Sequence, residues 1–117
     1  MGTIAMILRK PPYGDIHAAE AVRHALGAAS GDWKVSLIMV DGGVLLARKG
    51  QDDTGTGFTN LETTLVDCIE MGIEVFADQH SLIEQSLPQT DLLQGVRVVN
   101  ESDISLMLKE TDKTIIF

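Results

Sequence analysis

The chain has 117 residues, 44% apolar and 22% charged, which excludes a disordered polypeptide and suits one packed core in a single domain over residues 1–117. Its 17 Asp and Glu outnumber 9 Lys and Arg, and the resulting net charge of −8 argues against direct binding of nucleic-acid phosphates. One cysteine, Cys68, cannot close an internal disulfide, and no apolar run approaches the roughly 20 residues that span a bilayer. Arg9 and Lys10 follow the short apolar start instead of preceding it, unlike a secretory signal, so the expected location is the cytoplasm, with no membrane partner.

In chain order, Thr3 to Leu8 predicts a strand buried on both faces, because it is apolar without alternation. Arg9 to Gly14 holds two prolines and reads as a loop. Asp15 is placed to cap a helix whose apolar stripe is Ile16, Ala19, Val22, Leu26 and Ala29. Ser30-Gly31-Asp32 ends that helix. Lys34 to Val40 is the second strand, closed by Asp41-Gly42-Gly43, where two glycines suit either a positive-φ turn or a close backbone approach. Val44 to Ala47 reads as a helical turn. The polar, glycine-rich run from Arg48 to Gly57 reads as a long loop facing a partner or a ligand.

Phe58 to Met71 is the next helix, capped near Thr59 or Asn60, with Leu61, Leu65, Cys68 and Ile69 along it and Gly72 to stop it. Ile73 to Ala77 is a strand that runs through Asp78-Gln79-His80-Ser81 into a helical pattern with apolar Leu82, Ile83 and Leu87. Pro88 to Gly95 is a loop and Val96 to Val99 a short strand. Asn100 caps a helix over Glu101 to Lys109, and Lys113 to Phe117 is the last strand. This alternation predicts an α/β fold, a parallel sheet of about five strands with helices on both faces. Strand order does not follow from it.

In such sheets ligands gather at the strand C-termini. There Asp78 and His80 can form an acid–imidazole pair for proton transfer, although the simpler reading makes Asp78 the N-cap of the helix that follows. His17, Asp41, Gly42, Gly43 and Tyr13 fall on neighbouring loops and helix starts, so a ligand cleft would draw on them together with Asp78 and His80. No His-x-x-x-His spacing supports a metal, and His24 reads as a helix-surface residue. The glycines match neither phosphate-binding fingerprint, and no cofactor is expected.

Three pieces together resemble a known family: the strand, Pro/Gly loop and helix over Ile7 to Ala28; the strand ending Met39-Val40-Asp41-Gly42-Gly43-Val44; and Ile73-Glu74-Val75 through Ser81-Leu82, followed by Gly95-Val96-Arg97-Val98 and Asp112 to Phe117. They are similar to the DsrE/DsrF-like sulfur-relay family, and within it to DsrF/TusC-type subunits. The resemblance implies a flavodoxin-like, three-layer α/β/α domain that works as a homo- or hetero-oligomer, trimeric or hexameric, with related DsrE- and DsrH-like subunits and a sulfur-carrier protein as partners. Such complexes pass persulfide sulfur in tRNA thiolation or sulfur oxidation. In the family's carrier subunit a cysteine stands just beyond the strand matching Ile73–Ala77; here Asp78 stands near that place, and a carboxylate cannot hold a persulfide. The chain is therefore expected to be a non-carrier subunit, not catalytic by itself. The alternative is a small enzyme or ligand-binding protein using Asp78, His80, His17 and Asp41. Cys68 would be the sulfur-bearing residue only if its thiol were accessible with a lowered pKa, and its position between Leu65 and Ile69 near a helix C-terminus reads instead as packing.

Overall fold

The computed structural model describes residues 2–12, 16–50 and 61–117. The strands are β1 (Thr3–Leu8), β2 (Lys34–Met39), β3 (Glu74–Asp78), β4 (Val96–Val99) and β5 (Lys113–Ile116). All pair in parallel, in the order β4-β3-β2-β1-β5. The helices are α1 (His17–Ser30), α2 (Leu61–Glu70), α3 (Gln79–Glu84) and α4 (Glu101–Glu110), with 3-10 segments at Asp41–Ala47 and Gln89–Asp91. Asp15, Tyr13, the proposed caps Thr59 and Asn60, Phe58 and most of the Arg48–Gly57 loop lie outside the described residues.

Alternation along each strand sorts its side chains between two unequal layers. Ile4, Met6 and Leu8 of β1 join Val35, Leu37, Val75 and Ala77 under α1, α2 and the 3-10 segment, in the larger core. Ala5, Ile38 and Phe76 point the other way, and among the described helices α4 alone covers them, through the half-buried Ile104, Met107 and Leu108. The connections β1→β2, β2→β3 and β3→β4 step in one direction with their helical segments on the larger side. β4→β5 steps back with α4 on the smaller side, so all four crossovers share one hand, as parallel sheets require.

The buried stripe of α1 differs from the expected one. Ala18, Ala21, Val22 and Ala25 are buried, Leu26 and Ala29 are only partly so, Ala19 is exposed, and Ile16 precedes the helix at 69% exposure. Small side chains let the helix backbone lie close to the sheet, so alanines outcompete the larger residues for the contact face. Ile83 of α3 likewise points outward, while its neighbours Leu82 and Leu87 are buried as expected.

The turn after β2 also divides its labour differently from the expected one. The positive φ falls on Asp41 (φ 50), not on a glycine; aspartate tolerates this region better than most residues. Gly43 meets the other expectation, close approach, since a Cβ there would stand 2.2 Å from the Leu8 carbonyl oxygen. Gly72, at φ 89, ends α2 as expected. Asn100 caps α4 with a reciprocal box: Asp103 N–H donates to its side chain at 2.8 Å, and its own N–H donates to Asp103 Oδ2 at 3.2 Å.

Candidate functional site

β3 is followed by a segment on the larger side of the sheet and β4 by one on the smaller side, so a crevice opens where these neighbouring strands part. The cleft there measures about 290 Å³. Val40 and Ile104 give it apolar walls; Asp41, Asp78, His80, Glu84 and Glu101 ring it with ionisable groups.

Asp78 ends β3, 9% exposed, and its extended backbone makes it the N-cap of α3. Its Oδ2 accepts the Ser81 N–H at 3.1 Å and the Ser81 hydroxyl at 2.6 Å. Ser81 Oγ in turn accepts the Asp41 N–H at 2.8 Å. One hydroxyl thus ties the end of β3 to the turn after β2 through short, buried or part-buried bonds. Asp41 also faces Arg9 Nε at 3.4 Å, but both side chains are more than half exposed and the pair adds little.

His80 is directed elsewhere. Its side chain is 78% exposed and its Nε2 lies 3.5 Å from Glu84 Oε1, one turn along the helix. The acid–imidazole hydrogen bond between Asp78 and His80 is not among the contacts of the described residues; the cap occupies the carboxylate instead. The cleft gathers Asp41, Asp78 and His80. His17 opens α1, and Gly42 and Gly43 pack toward Pro11 and Leu8; none of these three lines the cleft, and Tyr13 lies outside the described residues. Among the described residues no group of three or more His, Cys, Asp or Glu side chains is arranged to hold a metal ion.

Ser81 and the α4 residues Glu101, Ile104 and Ser105 complete the cleft without having stood among the expected site residues. The local signal for Ser81 was its place three residues after a capping aspartate. The α4 residues have no local signal, because their approach to β3 depends on strand order. We expect Asp78→Ala to lower stability by about 1–2 kcal/mol in urea titration, as the cap and a buried hydroxyl's acceptor disappear together. Asp78→Asn keeps a capping oxygen and should lose less than half as much; equal losses would mean that the charge, not the cap, matters.

Cys68, on the inner face of α2, is fully buried in the larger core. Burial foremost, then the neighbouring Asp67 carboxylate, pushes its thiol from the ordinary 9.0 up to about 11, against a lowering backbone hydrogen bond. Roughly one thiol in ten thousand is ionised at pH 7.

The model of the DsrE/DsrF-like family matches residues 3–117. The chain belongs to the DsrE/DsrF-like family. This DsrE/DsrF-like chain is 32% identical over 114 residues to an uncharacterized protein of Methanopyrus kandleri, covering 97% of the chain and 93% of that protein. It is 29% identical over 124 residues to the intracellular sulfur oxidation protein DsrF of Allochromatium vinosum, covering 93% and 91%. Among solved structures, the ychN protein of E. coli superposes with a TM-score of 0.91 at 18% identity, with both chains fully covered. A protein of unknown function from Methanobacterium thermoautotrophicum gives 0.75 at 16%, again with full coverage. Both structures share the three-layer fold with a parallel sheet. Among the described residues no helix is long and apolar enough to cross a membrane.

Proposed function

We propose that the chain is a non-carrier, DsrF/TusC-like subunit of an oligomeric sulfur-relay complex in the cytoplasm, supporting persulfide transfer by a cysteine-bearing partner in sulfur oxidation or tRNA thiolation. The observation that carries this reading is the state of its one thiol. Persulfide chemistry needs an accessible thiolate, whereas Cys68 is buried and its pKa is raised to about 11. The tip of β3, where the resemblance puts the carrier's cysteine, holds the capping Asp78 instead. The similarity to a DsrF whose name carries sulfur oxidation supports the same direction. Exposed Ile83, Leu106 and Ile116 supply apolar surface for related subunits.

The test is intact mass after exposure of the native protein to a persulfide donor, beside Cys68→Ser, together with co-purification against a family subunit bearing the strand-tip cysteine. No added sulfur and a stable complex are expected. A reductant-removable single-sulfur adduct on the wild type, absent from the variant, would make Cys68 a carrier and end the proposal.

A second reading, ligand binding or catalysis in the cleft, is favoured by the convergence of Asp41, Asp78 and His80 there. It predicts that Asp41→Asn and His80→Ala abolish binding of a small molecule found by ligand screening while leaving the co-purification intact.

A further inference from the structure

We propose that two copies of this chain pair along the outer edge of β5, in antiparallel register centred on Ile115, to form one continuous sheet; this rests on the reading of the chain as an assembling subunit and names the surface it uses. Among the described residues β5 closes one side of the sheet, so one of its two edges faces outward. Phe117 N–H donates to the Ile7 carbonyl at 2.8 Å, and Phe117 C=O accepts the Arg9 N–H at 3.3 Å. By the two-residue alternation of a strand, Ile115 also turns its main-chain groups toward β1. Thr114 and Ile116 therefore present their N–H and C=O groups to the open edge.

That edge is complementary to itself. An antiparallel two-fold through Ile115 sets Thr114 against Ile116 of the second copy and Ile116 against its Thr114, so four main-chain hydrogen bonds form and none is left over. The two Ile115 side chains then meet on the larger side of the sheet. There an open, mostly apolar notch of about 380 Å³, lined by Ile4, Met6, Gly27 and Ala28 together with Arg23 and His24, adjoins Ile115 on each copy. Charge agrees with this register. Lys113, held over the Trp33 ring at 5.3 Å, falls opposite Phe117 of the second copy, about 14 Å along the strand from the other Lys113.

Both sheet edges carry a charge, but at different places. On β4 Arg97, paired with Glu74 at 3.7 Å and 68% exposed, stands in mid-strand, where a charge blocks edge pairing, whereas on β5 Lys113 is the first residue and is held over Trp33. β5 instead exposes apolar side chains on both of its faces, Ile115 at 40% and Ile116 at 64%. A strand bare on both faces at an open edge is suited to continuing a sheet.

The experiment is light scattering on the purified chain across micromolar concentrations, with two variants. Thr114→Pro removes one outward N–H per copy without touching a bond to β1 and should weaken self-association by roughly tenfold or more, with the circular dichroism spectrum unchanged. Ile115→Cys places two sulfurs across a non-hydrogen-bonded pair, with Cβ atoms about 4.5 Å apart, and should give a 115–115 disulfide under mild oxidation, identified by peptide mapping. A wild type that stays at 12.7 kDa, or an assembly untouched by Thr114→Pro with no 115–115 disulfide, overturns the edge pairing. If Thr114→Pro fails to fold, the disulfide alone decides. None of these outcomes touches the subunit reading, which stands or falls on sulfur uptake and capture of the cysteine-bearing relative.

Discussion

Gly43→Ala is expected to destabilise the protein by about 3 kcal/mol, for among the described glycines it has the tightest backbone contact. A Cβ at Gly43 would sit 2.2 Å from the Leu8 carbonyl oxygen and 2.8 Å from its carbon, both backbone atoms. Neither can retreat freely. The Leu8 carbonyl accepts the Val40 N–H at 2.9 Å, and Gly43 N–H itself donates to the Val40 carbonyl at 2.8 Å. Moving the turn away would also unseat Val44, Leu46 and Ala47, all fully buried. Two neighbouring experiments calibrate the result. Gly42→Ala meets the Pro11 ring at 3.2 Å and should cost no more than about 1 kcal/mol. Gly27→Ala, with nothing within 4 Å in mid-helix, should stabilise by about 0.5–1 kcal/mol. Urea midpoints compared across the three variants check this, and a Gly43→Ala protein that unfolds with the wild type would show that the turn slides at no cost.

The second large effect concerns alkali and Cys68. Between pH 9 and 11 the unfolded chain's thiol gives up its proton while the folded chain's thiol, raised to about 11, keeps it. The folded state then binds more protons than the unfolded one, so stability falls as pH rises. The slope is up to about 1.4 kcal/mol per pH unit, and the loss reaches about 2 kcal/mol by pH 11. The quantity to measure is the difference between wild type and Cys68→Ala across that window. The variant should be less stable at pH 7, for want of the buried sulfur, and should close the gap as pH rises. Alkylation by iodoacetamide reports the same burial at neutral pH and should run at least roughly 100-fold slower on the native protein than in urea. A rate equal in both conditions would mean that the thiol is open to solvent, and with it the sulfur-relay proposal would change sign.

Most of the secondary structure could be read from residue patterns because each element carries its own local signal. The unbroken apolar run of β1, the Asn100 cap of α4 and Gly72 after α2 are each decided within a few residues. The misread face of α1 came from weighting large apolar residues over small ones. The helix sits close to the sheet on Ala18, Ala21 and Ala25, and hydrophobicity alone cannot distinguish a small contact residue from a small bystander. For the site, Asp78 as a cap was legible from its offset to Ser81. The cleft itself was not, since Glu101, Ile104 and Ser105 arrive from α4 only through the strand order. His80 shows the limit of proximity in sequence. Two positions from Asp78, it has turned one helical step away and faces Glu84.

The placement of β1 between β2 and β5 bears on how the protein is made. β1 leaves the ribosome well before its partners on one side, Lys113 to Ile116, which pair with Ile4 to Ile7. At about 5–20 residues per second, that flank of an apolar, β-prone strand waits some 5–20 s for its neighbour during translation. Meanwhile the other four strands can assemble into an incomplete sheet whose open border is the segment Thr3–Leu8, with high β-propensity and no charge. Expression yield in a host short of chaperones should accordingly depend on how fast the message between β4 and β5 is decoded, and slow codons there should favour inclusion bodies while leaving the finished molecule's stability unchanged.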